Sequence, residues 1–209
     1  PKFLMGQPTD VFATKMSFLP IFLRNLVAGL IANINNGSNK IYGLPKPDHK
    51  FGATHPTINS ELLYKIRHGK ITPKVEIDRF DGKKVFFKDN TNEEFDVIIA
   101  CTGFALAHPF FDESFLNYRE GPVPLYLKMF HPKYDNLFFI GMFQPLGCIW
   151  PGAEQQSKLL SLALKKIWKR PSNIKNLCDR EVSHPHMKQI NTNRHRITVD
   201  FHRFMKDLK

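Results

Sequence analysis

The clearest periodic pattern of apolar and polar residues lies between Phe18 and Ile34. Apolar residues there recur three or four positions apart, which is the spacing of one helix face; they are Phe22, Leu23, Leu26, Val27, Leu30, Ile31 and Ile34. Proline, arginine and asparagine residues interrupt the stretch, so it is too polar to span a membrane. The pattern predicts an amphipathic helix whose apolar face either packs against a core or lies on a membrane surface.

Turn and capping signals follow this helix. The segment 42–47, Tyr-Gly-Leu-Pro-Lys-Pro, predicts an extended connector, because proline disfavours a helical conformation in the residue before it. Asn59 or Ser60 supplies a side-chain cap for a short helix, and Gly69 supplies a left-handed stop. The residues from Asn59 to Gly69 are therefore predicted to form one short helix.

A tract of alternating apolar and polar residues comes next. It predicts three strands, Ile71–Ile77, Arg79–Phe87 and Phe95–Ala100, with turns at Asp81-Gly82 and at 89–92. Strands joined in sequence by short turns form a β-meander. The end of the third strand, Val97–Ala100, is apolar on both faces, which is typical of an interior strand of an α/β sheet.

A second strand, loop and helix follow further along the chain. Asn136–Gly141 is an apolar run that predicts another buried strand, and 142–150 is the loop after it. Pro151 suits the first turn of a helix, and Pro171 ends that helix. Ligands often bind beyond the C-terminal ends of strands in such units, but the arrangement is common and is weak evidence by itself.

Composition describes a folded chain with a basic surface. The 209 residues are 42% hydrophobic and 23% charged, and 19 phenylalanines supply bulk for a core. The formal net charge is +11, yet Lys and Arg are scattered, with local enrichment only at 165–170 and 194–196. No aromatic platform accompanies them, so we interpret a solvated basic face, with attraction of an anionic cofactor as the alternative and no nucleic-acid partner.

Cysteine and histidine spacing does not indicate a disulfide framework or a metal site. The three cysteines Cys101, Cys148 and Cys178 have no paired spacing, which favours a reducing compartment. Cys148 is predicted to be a small apolar filler, with redox activity as the alternative. Four histidines have no ligand partner at a recognisable spacing, so we expect solvent-exposed imidazoles; they are His184, His186, His195 and His202.

Three segments together resemble the flavin-containing monooxygenase family and its Baeyer–Villiger relatives. Residues 96–104, Asp-Val-Ile-Ile-Ala-Cys-Thr-Gly-Phe, are similar to the family's segment ending in Ala-Thr-Gly-Tyr. Residues 136–156 are similar to its Asn-Leu-x-Phe-Ile-Gly-x-x-Gln-Pro-x-Gly segment, and 42–47 to its Tyr-Gly-Leu-x-Pro connector. The likeness runs from about Gly6 to Asp200 with order and rough spacing kept.

The resemblance implies a cofactor-dependent activity. Members bind FAD and NADPH in two nested dinucleotide-binding domains, and oxygenate amines or sulfides with dioxygen through a C4a-hydroperoxyflavin. It places Gln144, Leu146 and Gly147 near the flavin, and Thr102 and Gly103 at the junction of the two cofactors. Because the oxidant is borne by the flavin, the resemblance requires no catalytic side chain.

The departures from the family pattern concern phosphate binding. No Gly-x-Gly-x-x-Gly occurs in the chain, so neither cofactor pyrophosphate is held in the family's manner. Cys101 stands where alanine is usual, and Phe104 where tyrosine is usual. Since the chain also begins at Pro1 rather than Met, we interpret it as a C-terminal portion whose glycine fingerprints lie upstream. The alternative is a non-catalytic remnant or binding module of the same lineage.

The expected architecture is α/β with a mixed sheet: a partial two-dinucleotide-binding-domain flavoprotein with a β-meander insertion. Residues 1–100 are assigned to the later part of the NADPH domain, 101–170 to the closing part of the FAD domain, and 171–209 to a peripheral helical tail. With half of each sheet missing, strand edges and apolar faces would be exposed, which predicts poor isolated stability and association. The expected location is the cytoplasm or an intracellular membrane surface.

Overall fold

Helices and short strands alternate along the chain in the computed structural model, which describes residues 3–4, 6–8, 11, 14–16, 18–55, 59, 61–145, 147–185, 187, 189–190 and 192–209. The helices are α1 Ile21–Asn36, α2 Leu62–Arg67, α3 Trp150–Leu164, α4 Ile174–Ser183 and α5 Phe201–Asp207. Two 3-10 turns cover Asn39–Tyr42 and Asn193–His195. The strands are β1 Phe3–Leu4, β2 Gln7–Pro8, β3 Ile77–Asp81, β4 Lys84–Phe87, β5 Asn92–Glu94, β6 Gln144–Pro145 and β7 Thr198–Val199.

The strands form three separate small sheets. β1 and β2 are an antiparallel pair, β3, β4 and β5 are an antiparallel meander, and β6 pairs in parallel with β7. The α/β character is therefore confirmed, and both strand orientations occur. The predicted mixed sheet is not formed by the described residues, because each of the three sheets has a single strand orientation and the two apolar runs predicted to be buried strands do not form regular strands. The two-dinucleotide-domain architecture stays a prediction.

The β-meander is confirmed, with different strand limits. The predicted second strand, Arg79–Phe87, supplies most of β3 and all of β4. The predicted first strand overlaps β3 only at Ile77, and the predicted third strand, Phe95–Ala100, does not overlap β5. The turns lie where they were predicted, since Gly82 and Asn90 adopt left-handed backbone with φ of 57° and 65°. Phe80 pairs with Val85, so the turn at Gly82 sets the register between β3 and β4.

The predicted buried strand Val97–Ala100 is wrong. These residues have no regular structure, and Val97, Ile98 and Ile99 are 74%, 54% and 80% exposed. An apolar strand is buried only when neighbouring strands and helices cover it. No described element covers this run, so its apolar side chains remain exposed.

The second predicted buried strand, Asn136–Gly141, is reduced to one bridge. Phe138 forms an antiparallel bridge with Phe130, and Phe139 donates its N–H to Met129 O at 3.0 Å. Phe139 is buried, whereas Ile140 is exposed. The run therefore enters the core without extending a sheet.

Helix α1 is confirmed, but its apolar face is not packed against a core. None of its residues is buried, and Phe22, Leu26, Leu30 and Ile34 are all more than half exposed. Another side of the helix is half-buried, and there Arg24 forms an ion pair with Asp200 at 3.1 Å. One side of α1 therefore contacts the protein, while the stripe of four large apolar residues faces outward.

Helix α2 shows the predicted cap and stop. Asn59 Oδ1 accepts hydrogen bonds from Glu61 N and Leu62 N at 2.8 and 2.7 Å. Gly69 adopts φ of 64°, the left-handed conformation that glycine takes at little cost. Ser60, the alternative cap, lies outside the described residues.

The buried core lies in the C-terminal part of the chain. Apart from Val85 and Phe87, the buried apolar side chains of the described residues fall between Leu116 and Leu208. One cluster joins the turn at 127–130, α3, α4, β7 and α5, and a second includes Tyr118, Leu125 and Phe139. The segment 171–209 contributes to the first cluster with Ile174, Cys178, Val199, Phe204 and Leu208. The predicted domain boundaries remain predictions.

Helix α3 begins as predicted and ends earlier. Pro151 lies in its first turn, where the missing N–H of proline costs nothing. The helix stops at Leu164, seven residues before Pro171, and Lys166 then takes φ of 60°. The chain reverses there and leads into α4.

Candidate functional site

The segment that leads into Gln144 is held by both packing and backbone hydrogen bonds. Phe143 is 1% exposed and its ring lies 4.7 Å from that of Phe204. Gln144 N donates to Ile197 O at 2.8 Å, and Gln144 pairs with Thr198 across the parallel β6–β7 ladder. Gln144 is half-buried, so a rigid segment presents its carboxamide at the edge of the core.

The loop after Gln144 opens onto the N-terminus of α3. Gly147 adopts φ of 131°, and a side chain added there would meet nothing within 4 Å. The glycine is therefore required by the backbone conformation and not by close packing.

The N-terminus of α3 has no side-chain cap, because its N-cap residue Ile149 provides no side-chain hydrogen bond, and its first turn holds no acidic residue. The partial positive charge of this helix end faces an open loop. Leu146, predicted to lie beside the flavin, is outside the described residues.

Thr102 and Gly103 lie in an exposed, irregular segment. Gly103 adopts φ of 87° with open space where a side chain would be, and the Phe104 ring is fully exposed. The residues just after them, 105–108, and the residues just before Gln144, 138–142, line a common cavity of about 390 Å³. The structure thus brings together the segment that follows Thr102 and Gly103 and the segment that precedes Gln144. Thr102, Gly103, Gln144 and Gly147 themselves do not line the cavity.

The His108 and Phe139 rings contribute to the lining of this cavity, and the Tyr118 ring packs against both of them. His108 packs edge-on against Phe139, with ring centroids 5.6 Å apart, and Tyr118 lies 6.1 Å from His108. His108 Nδ1 and the Tyr118 hydroxyl are buried and have no hydrogen-bond partner among the described residues. Burial raises the pKa of Tyr118 to about 12, so its phenol stays neutral. Neither residue belongs to the predicted site.

The family follows from comparison of the whole chain with known proteins. The model of the flavin-binding monooxygenase-like family matches residues 5–209. This chain belongs to that family. The resemblance predicted from residues 42–47, 96–104 and 136–156 is confirmed.

Individual relatives agree with this assignment. Rabbit (Oryctolagus cuniculus) "Dimethylaniline monooxygenase [N-oxide-forming] 2" is 32% identical over 83% of this chain and 34% of its own length. Rat (Rattus norvegicus) "Flavin-containing monooxygenase 5" is 31% identical over 81% of this chain and 32% of its own. The human (Homo sapiens) protein of the same name is 28% identical over 97% of this chain and 40% of its own. The chain spans about a third to two fifths of the length of these relatives.

The family's closing motif also contains a residue that the sequence analysis passed over. Gln156 ends that motif, is completely buried in α3, and makes two hydrogen bonds to backbone groups. Its helix buries Gly152, Gln156 and Leu159 on one side. A glutamine within an otherwise apolar stripe is the signal that could have identified it, because a buried carboxamide requires partners.

The remaining candidates differ from expectation in three cases, and one of them is His202, which is half-buried although an exposed imidazole was predicted. Cys148 is exposed, so the prediction of a buried apolar filler is wrong. His195 is half-buried and hydrogen-bonded, whereas an exposed imidazole was predicted. Across the part of the chain that the structure describes, no three His, Cys, Asp or Glu side chains form a group that could hold a metal. His186 lies outside that part.

Proposed function

We propose that this member of the flavin-binding monooxygenase-like family is the flavin-edge portion of an NADPH- and FAD-dependent monooxygenase that oxygenates soft nucleophiles such as amines and sulfides. The loop 144–150, which leads from a rigid β6 into an uncapped helix end, carries the proposal. The rabbit relative is named for converting dimethylaniline to an N-oxide, which supports an amine as one substrate class.

The residues of the loop suit the edge of a flavin ring. Bound FAD and NADPH would supply the redox chemistry and the activation of dioxygen. Gln144, Leu146 and Gly147 are proposed to meet the ring edge, where a carboxamide and backbone amides would stabilise negative charge on the reduced ring. Thr102 and Gly103 are proposed to line the junction between the two cofactors. No Gly-x-Gly-x-x-Gly occurs in the sequence, so the pyrophosphates require residues from another segment.

Flavin content tests the proposal directly. A chimera would join the segment of the rabbit relative that precedes the matched region to Pro1, and its visible absorbance would be compared with that of the 209-residue chain. We expect a flavin spectrum near one per chain in the chimera and none in the shorter chain. A soluble, cooperatively folded chimera without flavin would contradict the proposal.

The role of the loop is tested within the same chimera by a matched pair of glutamines. Gln144→Ala removes the carboxamide at the proposed ring edge, whereas Gln155→Ala removes a half-buried one on α3. We expect the first substitution to shift the flavin absorption maxima and the second to leave them unchanged. Identical spectra for the two variants would place the flavin elsewhere.

A non-catalytic binding module is the second candidate, and the missing glycine fingerprints favour it. In that case a chimera that binds FAD would still not consume NADPH in the presence of dimethylaniline. Substrate-dependent NADPH oxidation by the flavin-loaded chimera supports the enzyme, and its absence supports the module.

We also propose that the chain works at an intracellular membrane surface rather than free in the cytoplasm. No helix among the described residues is both long and apolar enough to cross a membrane. Helix α1 nevertheless presents a stripe of exposed side chains, here called the α1 stripe: Phe22, Leu26, Leu30 and Ile34. Helix α1 has no acidic residue, and the chain carries a net charge of +11. An apolar stripe on a basic protein suits the surface of an anionic bilayer.

Vesicle co-sedimentation tests the membrane proposal. We expect the chain to bind vesicles that contain phosphatidylserine, and Leu26→Glu, in the middle of the α1 stripe, to weaken binding by about tenfold or more. Asn35→Glu places the same charge at an exposed position on the opposite side of the same helix and is the matched control. Equal binding by the two variants would show that the stripe does not contact lipid.

A further inference from the structure

Gln156 connects two backbone segments through its buried side chain. Its Oε1 accepts a hydrogen bond from Gly141 N at 2.9 Å, and its Nε2 donates to Leu127 O at 3.0 Å. The residue is 0% exposed, so water does not replace either bond. One carboxamide therefore ties helix α3 to two separate segments at once.

Both segments adopt backbone conformations that require support. Gly141 has φ of 78°, and Leu127 and Lys128 have φ of 54° and 53°, a left-handed turn made of two residues that are not glycine. Helix α4 supports the same turn, because Glu181 Oε1 accepts from Leu127 N at 3.4 Å and Glu181 Oε2 lies 3.6 Å from Lys128 Nζ. The turn is thus held by a glutamine on one helix and a glutamate on the other.

The bend at Gly141 determines where the following segment goes. Three residues later, Gln144 N donates to Ile197 O at 2.8 Å, so the segment is fixed at both ends. Between these points, Phe143 is buried against α3 at Gly152. A change in the direction of the Gly141 peptide would displace the segment and the loop that continues to Gly147.

We propose that Gln156 is a positioning residue that sets the direction of the segment 141–147 and thereby the contact of this loop with the flavin ring. The inference rests on the proposed function, because it assigns the flavin edge to the same loop. Gln156 itself touches only protein groups and acts through Gly141.

The chemistry requires a carboxamide at this position. One partner is an N–H that needs an acceptor, and the other is a carbonyl that needs a donor. The carboxylate of Gln156→Glu accepts at both oxygens, so it repels Leu127 O and buries a charge. Once protonated, the same side chain regains a donor and matches the glutamine in shape. Gln156→Met fills the space without forming either bond.

Amide hydrogen exchange of the 209-residue chain tests the network. At pH 8 the repulsion between the Gln156→Glu carboxylate and Leu127 O should push the side chain away from Gly141. Relative to the parent chain at the same pH, we therefore expect the Gly141 amide of this variant to lose about tenfold in protection at pH 8 and to recover it at pH 5. Gln156→Met should lose protection at both pH values, and Gln155→Met should lose it at neither. Parent-like protection in Gln156→Met, or no recovery of Gln156→Glu at pH 5, would overturn the inference.

Flavin spectra separate positioning from simple structural support. In the chimera, Gln156→Glu should shift the flavin absorption maxima at pH 8 and return to the parent spectrum at pH 5. A flavin-loaded chimera with parent spectra for Gln156→Glu at both pH values overturns the positioning role. A chimera that binds no flavin contradicts the proposed function instead, while the exchange of Gly141 still reports on the network.

Discussion

Single side chains that bind several backbone carbonyls hold the irregular segments of this protein. The Arg196 guanidinium donates to Tyr118 O, Arg119 O and Gly121 O at 2.6 to 3.0 Å. The Arg170 guanidinium donates to carbonyls of the segment 131–134 in the same way. The planar fork of arginine suits such sites, because it satisfies several acceptors from one position. Long loops are thus fixed without regular secondary structure.

Two histidines act as hydrogen-bond acceptors for the backbone, which makes them sensitive to pH. His131 Nδ1 accepts from Lys133 N and Tyr134 N at 3.1 Å, and His195 Nε2 accepts from His55 N at 3.2 Å. Protonation removes the lone pair that each bond requires. Burial lowers the pKa of both histidines below the ordinary value of 6.5, assisted at His131 by Arg170 and at His195 by Arg194.

These lowered values predict lower stability in acid. Below about pH 6.5 the histidines of the unfolded chain take up protons that those of the folded chain do not. As the pH is lowered, the free energy of unfolding should therefore fall, until the pH lies below the pKa values of the two histidines in the folded chain. Above about pH 6.5 these two groups should contribute no pH dependence. Urea titrations between pH 5 and 8 measure this window.

A substitution at His131 isolates its share of the effect. In His131→Asn the amide oxygen can accept from the same two N–H groups and does not titrate. We expect this variant to remain folded at pH 7 and to lose less stability than the parent between pH 7 and pH 5. An unchanged pH profile would show that His131 does not contribute.

At the scale of elements, helix α3 owes its position to a glycine. Gly152 lies on the buried side of α3, and a Cβ added there would overlap the ring of Phe143, with Cε2 only 2.8 Å away. Alanine normally favours a helix over glycine by about 1 kcal/mol. Here the close approach of the Phe143 ring opposes that preference, because the ring is buried and cannot move freely.

We therefore expect Gly152→Ala to destabilise the protein by about 1–3 kcal/mol, as overpacked cores do. Ser161→Ala, an exposed site on the same helix, should change stability by about 0.5 kcal/mol or less. Adding Phe143→Leu to Gly152→Ala should recover part of the loss, because the smaller side chain makes room. Thermal unfolding of the four proteins measures this, and a stabilised Gly152→Ala would contradict the close contact.

The elements also show how far local signals extend. The turns at Gly82 and Asn90, the Asn59 cap and the Pro151 helix start depend on interactions within a few residues, and each appeared where the sequence predicted it. Strand limits were less accurate. The ladder of β3 begins with Ile77 opposite Phe87, and pairing, rather than the alternation that begins at Ile71, decides where the strand begins.

At the scale of the whole molecule, buried and exposed apolar surface are unevenly distributed. The two buried clusters lie within residues 116–208, while exposed apolar side chains occur in α1, at 97–104, and around α3. Phe104 is fully exposed and Trp150 is 75% exposed. Apolar patches of this extent on a protein surface favour association.

We expect the isolated chain to self-associate at micromolar concentration, which sedimentation velocity would detect as species larger than the 24.2 kDa monomer. Replacing Val97 and Ile99 by lysine should shift the distribution toward monomer. Ser161→Lys adds charge at an exposed polar position of α3 and serves as the control. A parent chain that sediments as a monomer and unfolds cooperatively would contradict the expectation.

The sequence by itself determined the family, the Asn59 cap, the helix start at Pro151 and the meander turns, and it indicated the loop 144–150 as a candidate site. These features depend on short-range interactions or on a motif whose order is read directly. The tertiary structure alone decided that Val97–Ala100 and the α1 stripe are exposed, that Cys148 is not buried, and that Gln156 supports Gly141. An apolar run favours burial, but it is buried only when another part of the structure covers it. The role of a buried glutamine depends on the backbone groups that the fold places beside it.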